Sequence, residues 1–177
     1  MTEQTALALD EFGADRTAVI SDDGLYRYRL ERRWAPGGFT VTWVMLNPST
    51  ADAYTDDPTL RRITGFSRRM GFSRLIVVNL YAYRATEPSD LWRAADPIGP
   101  DNDEHLRETL TGHEVVVAWG AHARPDRIAR FLQIHRKAPG AGRLHALALT
   151  GAGQPRHPLY LRADLTPQPW EPPHATT

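Results

Sequence analysis

The sequence predicts an α/β domain of three layers, with helices on both faces of a short, mostly parallel central sheet. Two observations support this fold class. Four short apolar segments rich in Val, Ile and Leu have the length of buried strands, and each ends in a polar or loop-forming residue. Segments with helical patterns or capping signals separate them, as parallel pairing requires. The four predicted strands are residues 39–46, 74–79, 114–119 and 144–149.

The chain before the first buried strand predicts an antiparallel edge. Residues 25–34 have a partly alternating, strand-like pattern, and Pro36-Gly37-Gly38 predicts a turn that joins them to residues 39–46 as an edge hairpin. Residues 1–20 are mixed in pattern and are assigned to an N-terminal arm. We expect a single α/β domain over residues 21–162, followed by a flexible, proline-rich tail over residues 163–177.

The predicted helices carry clear start and stop signals. Asp57 is the expected N-cap of the first helix, with Pro58 at its first position and Gly71 at its end. Three further helices are expected between the later strands. The first starts at Pro88, the second runs from Asp101-Asn102 to Gly112, and the third runs from Pro125 to Arg136.

Composition excludes several classes of function. The chain of 177 residues has no cysteine, so disulfides, thiolate nucleophiles and iron–sulfur clusters are excluded. Its 21 basic and 21 acidic residues give no net charge, which argues against binding nucleic acid mainly through excess basic residues. No apolar run approaches the roughly 20 residues that cross a bilayer. We expect a cytoplasmic protein with no membrane partner.

Known cofactor motifs are also missing from the sequence. The seven histidines show no tight spacing with acidic residues that would predict a metal site. Neither a G-x-x-x-x-G-K phosphate loop nor a G-x-S-x-G nucleophile elbow occurs. We therefore expect no metal and no cofactor.

Polar residues at the strand ends predict one binding cleft. In parallel α/β sheets, ligands bind beyond the carboxyl ends of the strands, which places Asn47, Asn79 and the Trp119-Gly120 pair around one cleft with the loop that holds His157. Other polar groups expected at this cleft are Ser49, Thr50, Tyr54, Tyr81, Tyr83, Arg84 and Thr150. Carboxamides suit the edge of a nucleobase and tyrosines suit its face, so the set predicts a flat, polar heterocycle as ligand.

Each main candidate also has a structural alternative. Asn47 precedes Pro48, so opening a turn is as well supported as a role in the site. Asn79 lies in an apolar run, where an amide without partners costs stability, and a functional role is favoured. For His157, a role in the site is favoured over an exposed loop position.

Several motifs resemble a bacterial family known as a domain of unknown function, number sixteen-forty-three. They are residues 45–52, 57–62, 78–86, 99–103 and 118–120. The resemblance covers most of residues 20–162 and implies no activity.

The same segments, in the same order, resemble more remotely the uracil-DNA glycosylase superfamily. Leu46-Asn47-Pro48-Ser49 is similar to its water-positioning loop, Val78-Asn79 to its base-reading strand, and Arg156-His157-Pro158 to its final motif. Pro58-Thr59-Leu60-Arg61 and Val117-Ala118-Trp119-Gly120 are similar to two further segments of that superfamily. The aspartate that assists water in the main branch has no match in this sequence.

That resemblance implies a uracil-DNA glycosylase-like fold and roles for individual residues. Asn47 would orient the attacking water, His157 would donate to the leaving base, and Asn79 would read the edge of the base. The expected substrate-binding residues are Ser49, Tyr54, Asn79, Tyr81, Arg84, Trp119 and Gly120.

The leading hypothesis is therefore a nucleobase-binding, glycosylase-like hydrolase of an N-glycosidic bond in DNA or a nucleotide. One alternative is a non-catalytic module that binds a modified nucleotide or single-stranded nucleic acid. Another is a small-molecule enzyme of unknown reaction. The expected ligand contains a nucleobase in the first two cases.

Overall fold

The computed structural model describes residues 3–9, 15–49 and 51–173. Its strands are β1 (Glu3–Leu9), β2 (Asp15–Ser21), β3 (Arg27–Arg33), β4 (Thr40–Met45), β5 (Arg74–Asn79), β6 (Glu114–Val117), β7 (Leu144–Ala146) and β8 (Gln168–Pro169). Its helices are α1 (Pro58–Arg69), α2 (Pro88–Arg93), α3 (Asn102–Thr109) and α4 (Pro125–Lys137), with a short 3-10 helix at Pro158–Tyr160. Together they form a mixed α/β fold with one eight-stranded sheet in the order β1-β2-β3-β5-β4-β6-β7-β8.

The sheet is mostly antiparallel, so the expectation of a mostly parallel sheet is wrong. Four of the seven neighbouring pairs run antiparallel, and the three parallel pairs join β5, β4, β6 and β7 in the middle. The difference arises at the two ends of the chain. The stretch assigned to an N-terminal arm forms β1 and most of β2, and the stretch assigned to a flexible tail supplies β8.

The predicted edge hairpin between residues 25–34 and 39–46 is also wrong. β4 pairs on both sides with parallel neighbours, so β3 pairs instead with β2 and with the outer side of β5. Ser73, just before β5, shows the reason locally. Its carbonyl accepts from the Trp34 N–H and its N–H donates to the Phe39 carbonyl, so it lies between the two strands expected to pair.

Alternating residues of β4 pack into two hydrophobic clusters on opposite faces of the sheet. Val41, Trp43 and Met45 pack with buried residues of α1. Val44 packs in the other cluster, with the apolar residues of α3 and α4. Neighbouring residues of β4 thus pack with different helices.

The predicted signals of α1 and α4 agree with the structure, whereas α3 ends at Thr109, before the predicted end at Gly112. The Asp57 carboxylate accepts from the Leu60 N–H at 2.6 Å and caps α1, and Gly71 follows the end of the helix at φ +84°. α4 runs from Pro125, as predicted, to Lys137. No helix in residues 3–9, 15–49 and 51–173 is long and apolar enough to cross a membrane.

The last predicted strand is shorter than expected. Only Leu144–Ala146 forms β7, and beyond it the chain folds back through a single bridge between Leu149 and Pro155. The proline-rich segment then returns to the core, where Trp170 is 4% exposed and its ring lies 5.2 Å from that of Trp119.

Candidate functional site

A cleft of about 560 Å³ lies beside the carboxyl ends of β4 and β5, on the face of the sheet that α1 covers. Apolar residues of β3, β4, β5 and α1 form much of its wall. They are Leu30, Met45, Val77, Leu60 and Ile63. Most of the rest of the rim comes from the loops that follow β4, β5, β6 and β7.

The structure brings together most of the residues predicted for the site. Those that line the cleft are Asn47, Ser49, Asn79, Trp119, Gly120, Thr150 and His157. Asn47, Asn79 and His157, which are far apart in sequence, therefore line one cleft, as expected from the strand ends. Thr50 lies outside the described residues.

Asn79 is the most informative residue of the cleft. It ends β5, pairs in register with Met45 of β4 and is 1% exposed. Its side-chain Oδ1 and Nδ2 are both buried without a hydrogen-bond partner. A buried polar group without a partner costs about 1–3 kcal/mol of stability. Its main chain is held firmly, because Asn102 Nδ2 donates to the carbonyls of Asn79 and Leu80 at 3.1 Å each.

Asn47 stabilises the loop after β4 and also lines the cleft. Its Nδ2 donates to the carbonyls of Pro48, at 3.0 Å, and Ala85, at 2.8 Å, and so shapes the loop after β4. The side chain also lines the cleft. Since the nitrogen is engaged, the carboxamide oxygen is the atom that Asn47 offers to a ligand or a water molecule.

His157 caps the short 3-10 helix at Pro158–Tyr160, which contacts α1, and it lines the cleft. Its Nδ1 accepts from the Leu159 N–H at 3.4 Å, so a neutral ring carries its proton on Nε2 and acts there as a donor. Burial lowers the pKa of His157 from its usual value, and the nearby Asp57 carboxylate partly opposes this effect. The imidazole is therefore neutral at neutral pH.

Gly120 brings the His157 loop close to the end of β6. Its N–H donates to the Pro155 carbonyl at 2.8 Å, and a side-chain carbon at this position would lie 3.8 Å from the His157 Cβ. The backbone at Gly120 has a φ of +79°, which glycine adopts without strain. This residue therefore shapes the rim through its backbone.

Asp57 belongs to the cleft, which the sequence did not indicate. One carboxylate oxygen caps α1, and the other accepts a hydrogen bond from the Ser49 hydroxyl. The side chain also lines the cleft. Its capping signal was visible in the sequence, but its contact with Ser49 depends on the path of the loop between them.

Arg27 is a second cleft residue that sequence reasoning missed. It is 5% exposed, its Nη1 donates to the Ala51 carbonyl, and its Nε has no partner. Burial lowers its pKa to about 10, an effect that the nearby Asp57 charge opposes. No carboxylate of the described residues forms an ion pair with it.

Three residues predicted for substrate binding lie outside the cleft lining. Tyr54 is 69% exposed on the loop before α1. The chain leaves the strand direction after Asn79, so Tyr81 packs in the cluster on the α4 side, where its hydroxyl accepts from the Arg124 N–H at 3.3 Å. Arg84 donates to the Gly24 carbonyl at 3.1 Å.

Trp119 contributes to the cleft mainly as a packing residue. Its ring is buried against Phe131 and Trp170, and its Nε1 donates to Gln154 Oε1 at 3.1 Å. The described residues contain no cluster of three His, Asp or Glu side chains that could hold a metal ion.

We predict that Asn79→Leu raises the free energy of unfolding, by about 1 kcal/mol or more, because it replaces an unsatisfied buried carboxamide with an apolar group of similar size. The matched control is Asn102→Leu, which removes two hydrogen bonds and should lower that free energy by about 1–3 kcal/mol. Urea denaturation measures both. Equal destabilisation by the two variants would show that the Asn79 amide is satisfied within the protein.

We predict that His157 makes folding stability depend on pH. Its folded-state pKa is lowered, so the unfolded chain takes up the proton first, and stability falls as the pH drops below about 6.5 towards the folded-state pKa. Urea denaturation between pH 5 and pH 8 should show a smaller fall for His157→Gln than for the wild type. His122→Gln, at an exposed histidine of the same cleft, is the control. Identical pH profiles for His157→Gln and the wild type would contradict the prediction.

Comparison with solved structures gives a weak similarity. The chain is similar to the hetero-hexameric glutamate dehydrogenase from Thermus thermophilus in its leucine-bound form, at 9% identity and a TM-score of 0.30. The similarity covers 76% of this chain and spans 30% of the dehydrogenase chain. These values carry no conclusion about fold or function. No curated protein sequence matches the chain.

Comparison with protein families gives a clear result. The family described as "Protein of unknown function (DUF1643)" matches residues 27–159. This range contains every residue that lines the cleft except Tyr160. The match covers well over half of the sequence, and the chain belongs to the DUF1643 family.

Proposed function

We propose that the protein binds a nucleobase-containing ligand in this cleft and hydrolyses its N-glycosidic bond. The observation that carries the proposal is the buried carboxamide of Asn79, which lines the cleft with no partner for either polar atom. A carboxamide presents a donor and an acceptor side by side, and the edge of a nucleobase presents the complementary pair. Such a ligand would satisfy both atoms at once.

The walls of the cleft suit a flat ring. Met45, Val77 and Ile63 provide apolar surface next to Asn79. Binding sites for small molecules typically combine apolar walls with a few fixed polar groups, and volumes of about 300–1,000 Å³ are usual. The cleft, at about 560 Å³, falls within this range.

The polar groups near Asn79 support hydrolysis. Breaking an N-glycosidic bond leaves positive charge on the sugar and sends the bonding electrons to the departing base. A neutral His157 would donate from Nε2 to that base, and the Asn47 oxygen would orient a water molecule towards the anomeric carbon. The water oxygen bonds to that carbon, and the proton it loses ends on the base.

The Asp57 carboxylate would add electrostatic support. It is held by the Ser49 hydroxyl and the first turn of α1, and it lines the same cleft. A fixed negative charge near the sugar stabilises a transition state with oxocarbenium character. Asp57 would thus supply a carboxylate that the comparison of motifs did not find.

The proposal includes a three-layer, uracil-DNA glycosylase-like arrangement and a cytoplasmic location. In support of the arrangement, β5, β4, β6 and β7 are parallel neighbours, and Asn47, Asn79 and His157 follow the order of the motifs that resemble that superfamily. The reaction needs only water as co-reactant.

A non-catalytic nucleotide-binding module is the second candidate. The observation that favours it is the hydrogen bonding of Asn47. Both hydrogens of its Nδ2 are donated to loop carbonyls, so only its oxygen is left to hold a water molecule. In that case Asn79 would still bind the base, and no bond would be broken.

We predict release of free base when the purified protein is incubated with free nucleotides or with labelled oligonucleotides, single- or double-stranded, that carry uracil or damaged bases. His157→Ala should slow the release on the order of 100-fold, because it removes a donor to the leaving base. Arg93→Ala, at an exposed residue on α2, is the control and should keep the wild-type rate.

Failure to release base from every substrate would contradict hydrolysis. Binding of a base or nucleotide that persists in the wild type and in Asn47→Ala without turnover would favour the non-catalytic module. Loss of binding in Asn79→Leu is expected under both functions.

A further inference from the structure

We propose that the cleft contains an anion subsite at Arg27, and that the ligand is a free nucleoside monophosphate whose phosphate binds there. This inference rests on the proposed function and names its substrate class. Arg27 is a charged residue of the cleft with no role in the nucleobase chemistry above.

The Arg27 guanidinium is a buried charge whose hydrogen bonding is incomplete. It lines the cleft at 5% exposure, donates from Nη1 to a carbonyl, and has an Nε with no partner. It forms no ion pair with a described residue. A buried charge is costly unless it is paired and hydrogen-bonded, so an anionic ligand would complete this site.

An irregularity in the sheet turns Arg27 towards the cleft. Val19 of β2 pairs with Arg29 of β3, and Ile20 pairs with Arg27, so Tyr28 is an additional residue in β3. In a regular strand, Arg27 and Leu30 would point to opposite faces, because side chains alternate. Both line the cleft, as a bulge between them allows. Bulges near binding sites commonly re-aim one side chain in this way.

Charges of both signs surround Arg27, and the carboxylate in the cleft is already hydrogen-bonded. Asp57 is the acidic residue of the cleft lining, and its two oxygens already accept from Ser49 and from the backbone of α1. The positive charge of Arg84 lies close enough to disfavour the charged form of Arg27. The Nε of Arg84 is also buried without a partner. Arg84 and Arg32 thus bring positive charge near Arg27. Asp57 and Asp52 bring negative charge, but neither carboxylate forms an ion pair with it.

The size and charge of the site favour a free nucleotide over nucleic acid. Two arginines, Arg27 and Arg156, belong to the described cleft lining. Two guanidinium groups are enough to bind one phosphate group. Proteins that hold DNA neutralise a series of phosphates with Lys and Arg, whereas this chain has no net charge. An arginine fork binds a phosphate in a defined geometry, and a buried one reaches only a ligand that enters the cleft.

Calorimetric titration of the full chain tests the subsite. The probes are the common purine and pyrimidine ribo- and deoxyribonucleoside 5′-monophosphates, the corresponding nucleosides, inorganic phosphate and a single-stranded oligonucleotide. Wild type should bind at least one monophosphate about tenfold or more tightly than its nucleoside, as expected for a charge-assisted hydrogen bond. Arg27→Met should remove this difference and keep the affinity for the nucleoside. Arg93→Met, at a residue with a 77% exposed side chain, should keep the difference.

If Arg27→Met fails to fold, Arg27→Lys carries the test, because it keeps the charge but loses the fork and should reduce the preference. Equal binding of nucleosides and monophosphates by the wild type would overturn the subsite and leave the proposed function standing. Tighter binding of the oligonucleotide than of any monophosphate would overturn the free nucleotide. Binding of neither nucleosides nor monophosphates, with or without binding of phosphate alone, would overturn both proposals.

Discussion

A carboxamide buried without hydrogen-bond partners needs another molecule to satisfy it, and Asn79 places such a group at the end of a central strand. The surrounding structure keeps it unsatisfied. Asn102 holds the backbone on one side, and apolar residues of β4 and α1 surround the cleft on the other. The folded protein thus bears an energetic cost at this position, which is typical of a binding site and unusual for a packing position.

The remaining cleft residues are positioned by contacts that fix loops to the sheet. The Asn47 nitrogen braces the loop after β4, Gly120 holds the His157 loop against the end of β6, and Asp57 joins the start of α1 to Ser49. Each of these residues combines a structural hydrogen bond with a place on the cleft wall. Donors and acceptors that are preorganised in this way lose little entropy when a ligand binds.

Much of this arrangement could be predicted from the sequence, because it follows from strand ends. Asn47, Asn79 and His157 meet since each follows or ends a strand of the middle of the sheet. What the sequence could not show depends on pairing between distant segments. The pairing of β3 with β5, the bulge that turns Arg27 inward and the return of Trp170 to the core are all non-local. Tyr81 was misplaced because the chain changes direction after Asn79.

A crystal structure of the protein soaked with free nucleobases would show directly whether Asn79 binds a base. We predict a flat ring in the cleft, with the edge of the base within about 3 Å of both Oδ1 and Nδ2 of Asn79. A structure in which the Asn79 carboxamide is paired with protein groups, and in which no base enters the cleft, would contradict it.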